Sequence, residues 1–386
     1  MGLNINSLSN SDISIKKESD NFFLEYGERH YKINPNFYMI LDFQLRKHSQ
    51  DKIVNYFIEL NGFDHKMVEC LINEYNLFID KIESNYNAKK ISYIKAKFTL
   101  LPPKATQIIS SKLSFLHRKY IMCMLLILSI GAHFYYFFNK PALINFDFST
   151  LQVIIYYFIA LVLLFFHELG HSSASVYNKI VPKEIGIGFY FIFPVYFSDV
   201  TRIWTLPKWR KVQVNLAGIY FQFIINLILI LSLYMVSYKS QVYFIHFINL
   251  NIAVILYTLV PFFRNDGYWV FSDIFSISNL LKKSDLLVSD IITYKPKLWK
   301  EKYLNVSNTP LIIYAFSNWL FRFYILYVLL KGIYNNIYYT TLNIHELSYT
   351  KIAITSIKIS ALGVGVYFIL SYVYMTFIKK KKLTGI

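Results

Sequence analysis

Cysteine is scarce: the 386-residue chain carries two, Cys70 and Cys123. Two thiols this far apart build neither a disulfide framework nor a cysteine-based metal cluster, and reduced thiols are expected. An apolar stretch at the start is missing as well. Residues 1–17, MGLNINSLSNSDISIKK, lack the hydrophobic segment of a secretory signal, so the N-terminal part is expected in the cytosol. Charged residues make up only 16%, and Lys and Arg outnumber Asp and Glu by 40 to 23. The resulting net charge of +17 does not point to nucleic acid. The basic residues are scattered through loops between apolar runs and form no stripe or recognition motif. No internal repeat or low-complexity tract stands out.

What is abundant is apolar and aromatic: 55% of residues are hydrophobic and 19% aromatic. That is too apolar for an ordinary soluble protein and puts the chain in the membrane class. Six runs are long enough to span a bilayer, residues 121–138, 150–176, 214–236, 242–262, 311–330 and 352–378. Lys179, Lys183, Arg202, Lys208, Arg210 and Lys211 fall between the second and third runs, and Lys379 to Lys382 follow the sixth. Arg264, Lys282, Lys283, Lys295, Lys297, Lys300 and Lys302 fall between the fourth and fifth, while the other connections hold little charge. The positive-inside tendency then predicts a multi-pass protein of the cell membrane with both termini cytosolic.

The charge-rich first part reads as a separate domain, residues 1–88. Residues 22–26 and 30–33 flank Gly27-Glu28-Arg29 as a hairpin, and helical patterns follow over 37–45, 51–60 and 65–79, with Gly62 and Asp64 as stop and cap. A hairpin plus three helices is the size of a winged-helix module. Residues 89–118, broken by Leu101-Pro102-Pro103, read as a basic connector with apolar residues for the interface. The membrane domain occupies 119–386. The expected fold is thus an α-helical polytopic membrane protein of about six transmembrane helices with a small N-terminal α+β, winged-helix-like cytosolic domain.

At the end of the second run, residues 167–171 spell HELGH. On a helix, positions i and i+4 share a face, so His167 and His171 can bind one cation while Glu168 reaches a water beside it. At this content of His and Glu, an accidental HExxH is expected in on the order of one chain in a hundred. Competing readings are an interhelical hydrogen-bond knot or a proton or ion path. Two imidazoles and a carboxylate would also suit ferrous iron, but a glutamate directly after the first histidine favours hydrolytic zinc. NIHELSY repeats the start of the motif at His345-Glu346, with Tyr349 where the second histidine should be, and is discarded.

The predicted topology brings a third ligand to the same leaflet. The second and fourth runs both travel from outside to inside, so the fourth delivers Asp266 to the HELGH end, with Pro261 and Gly267 expected to break the helix around it. The bland alternative for Asp266-Gly267 is a surface turn. Residues 182–207, PKEIGIGFYFIFPVYFSDVTRIWTLP, fit neither a span nor a soluble loop. Short strands or a re-entrant element over the site would explain them, and a strand there offers backbone groups to an extended substrate; interfacial anchoring is the alternative. Small residues Gly170, Ser172, Ser173 and Ala174 permit a close neighbouring helix. Asn215, Gln222, Asn226 and Asn265 are candidate oxyanion donors, with bundle hydrogen bonding as the other role for the first three.

HELGH at a span end, then PVYFSDVTRIW, NLAGIYFQFIIN and PFFRNDGYWVFSD, together resemble the site-2 protease family of intramembrane zinc metalloproteases. The likeness is to its bacterial peptide-processing branch, often encoded near modified peptides or bacteriocins, and covers about residues 120–273. It implies zinc held by His167, His171 and Asp266, with Glu168 as general base. Val260 departs from it, since an Asn before the proline is common there. The N-terminal module resembles the peptide-binding domain of the pyrroloquinoline-quinone chaperone type, which captures leader peptides. The implied partners are a peptide or membrane-associated precursor, the lipid bilayer, and an export transporter that would carry the product. The competing classes are a non-enzymatic peptide immunity or transport protein using His and Glu for gating or proton transfer, a metal-dependent membrane oxidase or hydroxylase, and a zinc enzyme of non-proteolytic chemistry.

Overall fold

A computed structural model describes residues 13–18, 21–26, 29–59, 62–87, 94–140, 150–190, 193–293, 308–342 and 349–383. The chain divides into two compact units, Met1–Ile255 and Leu256–Ile386.

The first unit opens with an antiparallel meander, β1 (Ile13–Glu18), β2 (Asn21–Tyr26) and β3 (Arg29–Ile33), in the order β1-β2-β3. Sequence reading anticipated only the β2–β3 hairpin, whose turn at 27–28 lies outside the described residues. The extra strand pairs Ile13 with Tyr26 and Ile15 with Leu24, so its two apolar residues join one face of the sheet. Three helices cover that face: α1 (Pro35–Leu45), α2 (Gln50–Glu59) and α3 (His65–Asn87). Asn34 caps α1 by accepting the Phe37 N–H at 2.7 Å, and Asp64 caps α3 by accepting the Met67 N–H at 2.6 Å. Gly62, just upstream, has φ of +67°, a backbone state that glycine enters without strain. Helix α3 buries Val68, Ile72, Tyr75, Ile79 and Ile82 along one stripe, and these meet Leu24, Tyr26, Phe37, Ile40, Ile53 and Phe57 in a core of the module's own.

Within residues 89–118 the chain forms β4 (Ile94–Leu101), α4 (Pro103–Leu113) and a 3₁₀ turn (Ser114–His117). Strand β4 pairs antiparallel with β5 (Ile185–Tyr190), which pairs antiparallel with β6 (Phe193–Ser198), giving the order β4-β5-β6. The aromatic segment 182–207 is therefore a hairpin followed by a second 3₁₀ turn (Thr201–Thr205). Four long helices complete this unit's membrane part: α5 (Lys119–Asn139), α6 (Thr150–Tyr177), α7 (Lys208–Leu233) and α8 (Tyr238–Leu259), with the unit boundary inside α8. They are held by polar contacts as well as apolar ones. His133 on α5 accepts from the Asn226 amide of α7 at 3.0 Å through Nε2, and Asn251 on α8 donates to Asn226 Oδ1 at 2.8 Å. Inside an apolar bundle such bonds join helices that the hydrophobic effect alone would not orient.

The second unit holds α9 (Asp266–Ile274), α10 (Leu280–Thr293), α11 (Thr309–Leu342) and α12 (Tyr349–Leu383). Tyr268, Leu280, Leu287, Leu311, Tyr314 and Ala315 form its buried core. Arg322 on α11 pairs with Asp285 on α10 at 2.9 Å, and the Tyr372 hydroxyl of α12 donates to the same carboxylate. Six of the described helices, α5 to α8, α11 and α12, are long and apolar enough to cross a bilayer, so the chain is a mostly helical membrane protein with a small N-terminal domain.

Candidate metal centre

The motif lies in the C-terminal half of α6, where helical geometry places residues 167 and 171 about one turn apart. His167 and His171 are both buried, and their Nε2 atoms stand 3.1 Å apart. Two nitrogens on one tetrahedral zinc, with bonds of about 2.0–2.1 Å, would be about 3.3 Å apart. The pair is preset close to that spacing. His171 Nδ1 lies 2.8 Å from the backbone oxygen of Val214 on α7. A carbonyl only accepts, so Nδ1 carries the proton and Nε2 presents its lone pair, the arrangement that orients ligating histidines.

Space in front of the two imidazoles comes from one missing side chain. A Cβ on Gly218 of α7 would lie 2.6 Å from both His167 Nε2 and His171 Nε2. The neighbouring glycine serves the helix contact itself: a Cβ on Gly170 would collide with the backbone oxygen of Ala217. The two glycines thus let α7 pass against α6 while leaving a gap at the paired nitrogens. Donor type, spacing, tautomer and room all fit a zinc ion.

Asp266 is the first residue of α9, with Asn265 in the N-cap position. Pro261 and Gly267 are both expected from the sequence to break the helix around Asp266; α8 does end at Leu259, before Pro261, whereas Gly267 lies within the first turn of α9. A Cβ there would collide with the carbonyl oxygen of Leu259, so glycine lets α9 start against the end of α8. The Asn265 amide donates to the Tyr257 oxygen at 2.8 Å and fixes the intervening turn. His167 and His171 each offer a ring nitrogen and Asp266 a carboxylate oxygen, the donor types of a His/His/Asp metal group. Glu168, half-buried, follows the first of these histidines on α6.

The remaining candidates separate by their partners. Asn226 is taken up by His133 and Asn251, while Gln222 is buried and its backbone oxygen accepts from Asn251. His117 lies in the 3₁₀ turn before α5, with Nε2 2.8 Å from Ser173 Oγ and its ring stacked on Phe221. Burial pushes its pKa down to about 4, with the nearby His171 adding to the effect, so it is neutral near pH 7. His345 and Glu346 lie outside the described residues. Sequence reading missed Gly218, the Val214 carbonyl and Ser198 as parts of this region. Gly218 did carry a signal, as a glycine inside an otherwise apolar helix.

No protein-family model matches the chain, and no solved structure matches it. A Bacillus subtilis (strain 168) protein, YydH, whose name carries the provisional description peptide zinc metalloprotease, is 24% identical over 214 residues, covering 53% of this chain and 80% of the relative. That similarity supports a zinc metalloprotease, in agreement with the donor set on α6.

Proposed function

We propose that this protein is a membrane-embedded zinc endopeptidase of the site-2 protease type, acting on a gene-encoded peptide or membrane-associated precursor during its maturation or export. The observation that carries the reading is the pair of buried imidazole nitrogens, 3.1 Å apart, facing the gap at Gly218. His167, His171 and Asp266 would hold the zinc. When bound, zinc acts as a Lewis acid toward the scissile carbonyl and makes water more acidic. Glu168 takes the proton of the attacking water as the C–O bond forms, then delivers it to the leaving amine nitrogen as the C–N bond breaks. Val214 keeps His171 in the required tautomer throughout. The burial around α6 and α7 limits competing water, and an unwound peptide strand is accepted beside β6, an outer strand of the β4-β5-β6 sheet, because its backbone groups can continue the ladder.

Zinc content is the deciding experiment. Purified protein is expected to hold about one zinc per chain. The double substitution His167→Ala with His171→Ala should hold none, and Asp266→Ala should hold less. Equal zinc in wild type and the double variant sinks the reading.

Orientation follows from the Lys and Arg bias, with both termini and the metal centre toward the cytosol. Reporter fusions after Phe138 and Lys239 should report the outside, and fusions after Arg210 and Ile386 the cytosol. A cytosolic report after Lys239 contradicts this arrangement.

The N-terminal module selects the substrate by taking up its leader along an outer strand of the β1-β2-β3 sheet. Its separate core supports this role, because it can be presented without disturbing the membrane part. A soluble fragment of residues 1–87 is expected to bind the leader of a peptide encoded beside it. Undiminished cleavage after deleting those residues would assign selection to the membrane domain instead.

A further inference from the structure

Strand β6 is tied to the motif helix at two points, and the motif's glutamate lies between them. Phe165 on α6 meets Tyr196 on β6, with ring centroids 6.4 Å apart, and Ser172 Oγ lies 2.7 Å from Ser198 Oγ. Residues 165, 168 and 172 follow the i, i+3, i+7 spacing of one helix face. Glu168 therefore occupies the middle of the stripe that β6 crosses, while His167 and His171 face Gly218 on α7. The two ties differ in kind. A ring contact tolerates sliding, whereas a hydroxyl pair at 2.7 Å is directional and holds one distance. Ser172 is fully buried, directly follows His171, and has Ser198 as the partner that reaches it from the sheet.

We propose that the Ser172–Ser198 pair is a positioning contact that sets which peptide bond is cut. This rests on the endopeptidase reading above. Among the described residues β6 pairs only with β5, which leaves its other edge for an extended peptide. Successive residues of such a peptide advance about 3.4 Å, so a slip of one residue brings a different bond to Glu168 and turns every side chain to the opposite face. The register between peptide and glutamate is the sum of two steps, peptide to β6 and β6 to α6. Backbone pairing sets the first. The serine pair sets the second, at the residue adjoining a metal-ligand position.

The test uses the full chain in lipid nanodiscs, with Ser198→Ala and Ser198→Thr beside wild type, and zinc content measured in each. Hydrogen exchange reads the tie without any cleavage. Amides of Phe193 and residues 195–198 should exchange about fivefold faster in Ser198→Ala, the loss expected for one neutral hydrogen bond, and near the wild-type rate in Ser198→Thr. Unchanged exchange overturns the anchoring role. The second readout is mass spectrometry of products from a synthetic mixture of peptides, each with an apolar segment of about 20 residues and varied flanks. Wild type and Ser198→Thr should cut each accepted peptide mainly at one bond, and Ser198→Ala should spread cuts to neighbouring bonds at equal zinc content. The same bond cut by all three overturns the inference while leaving the endopeptidase intact. No cut by wild type, with the exchange difference present, removes the endopeptidase reading and with it the role in bond selection.

Discussion

Glu168→Gln leaves zinc bound and lowers peptide cleavage by about 10²–10⁴-fold, the usual worth of a positioned general acid–base group. In the proposed mechanism the two jobs of HELGH fall on different residues. The histidines share the face that meets α7, where their nitrogens sit 3.1 Å apart and His171 is held by Val214. Glu168 belongs to a different face of α6 and needs only to move a proton. Glutamine keeps the size of the side chain and can still accept a hydrogen bond, but it cannot take a proton from water at neutral pH. Zinc content and cleavage rate measured on the same preparation check the separation. Cleavage at the wild-type rate would remove Glu168 from the mechanism, and loss of zinc would make it a ligand or a structural support.

Gly218→Ala empties the metal site without touching a ligand. The new methyl group would lie 2.6 Å from both Nε2 atoms, well inside the contact distance of a carbon and a nitrogen, and it would stand where the ion must go. Helix α7 cannot easily draw back. Its backbone at Ala217 already rests on Gly170, and Val214 one turn away is bonded to His171. The imidazoles could swing aside instead, but only by giving up the Val214 bond that fixes the tautomer. Loss of such an orienting contact alone costs about 10–100-fold in metal affinity, and the steric block adds to it. Zinc competition with a chelator should therefore show a fall of at least about 100-fold. Gly131→Ala is the control, since nothing lies within 4 Å of its added Cβ and alanine suits a helix better than glycine. Wild-type zinc affinity in Gly218→Ala would mean that the ion does not occupy this gap.

The membrane class and the place of the motif were legible because both depend on short-range pattern. A run of about 20 apolar residues spans a bilayer whatever its neighbours do, and the six runs read from the chain correspond to α5 to α8, α11 and α12. The caps at Asn34 and Asp64 are local too, since an Asx side chain three residues upstream of an amide can satisfy it without outside help. Strands were harder. In β1 only Ile13 and Ile15 alternate before Lys16 and Lys17 take over, and the pairing with β2 is what makes them count. In β4, Lys95 and Lys97 disguise an alternation whose partner, β5, begins at Ile185, 84 residues after β4 ends at Leu101.

By itself, then, the sequence determined that the protein is helical and apolar enough to cross a membrane, that a small charged module precedes those helices, and that two histidines share a helix face with a glutamate between them. Tertiary structure alone decided that Val214 selects the nitrogen His171 presents, that Gly218 leaves room before both imidazoles, that Gly267 serves a helix contact, and that Ser198 ties β6 to α6. The physical reason is range. Helix periodicity, span length and caps are settled by residues a few positions apart, whereas a tautomer, a gap or a register depends on which backbone arrives opposite, and that is fixed only when distant segments pack together.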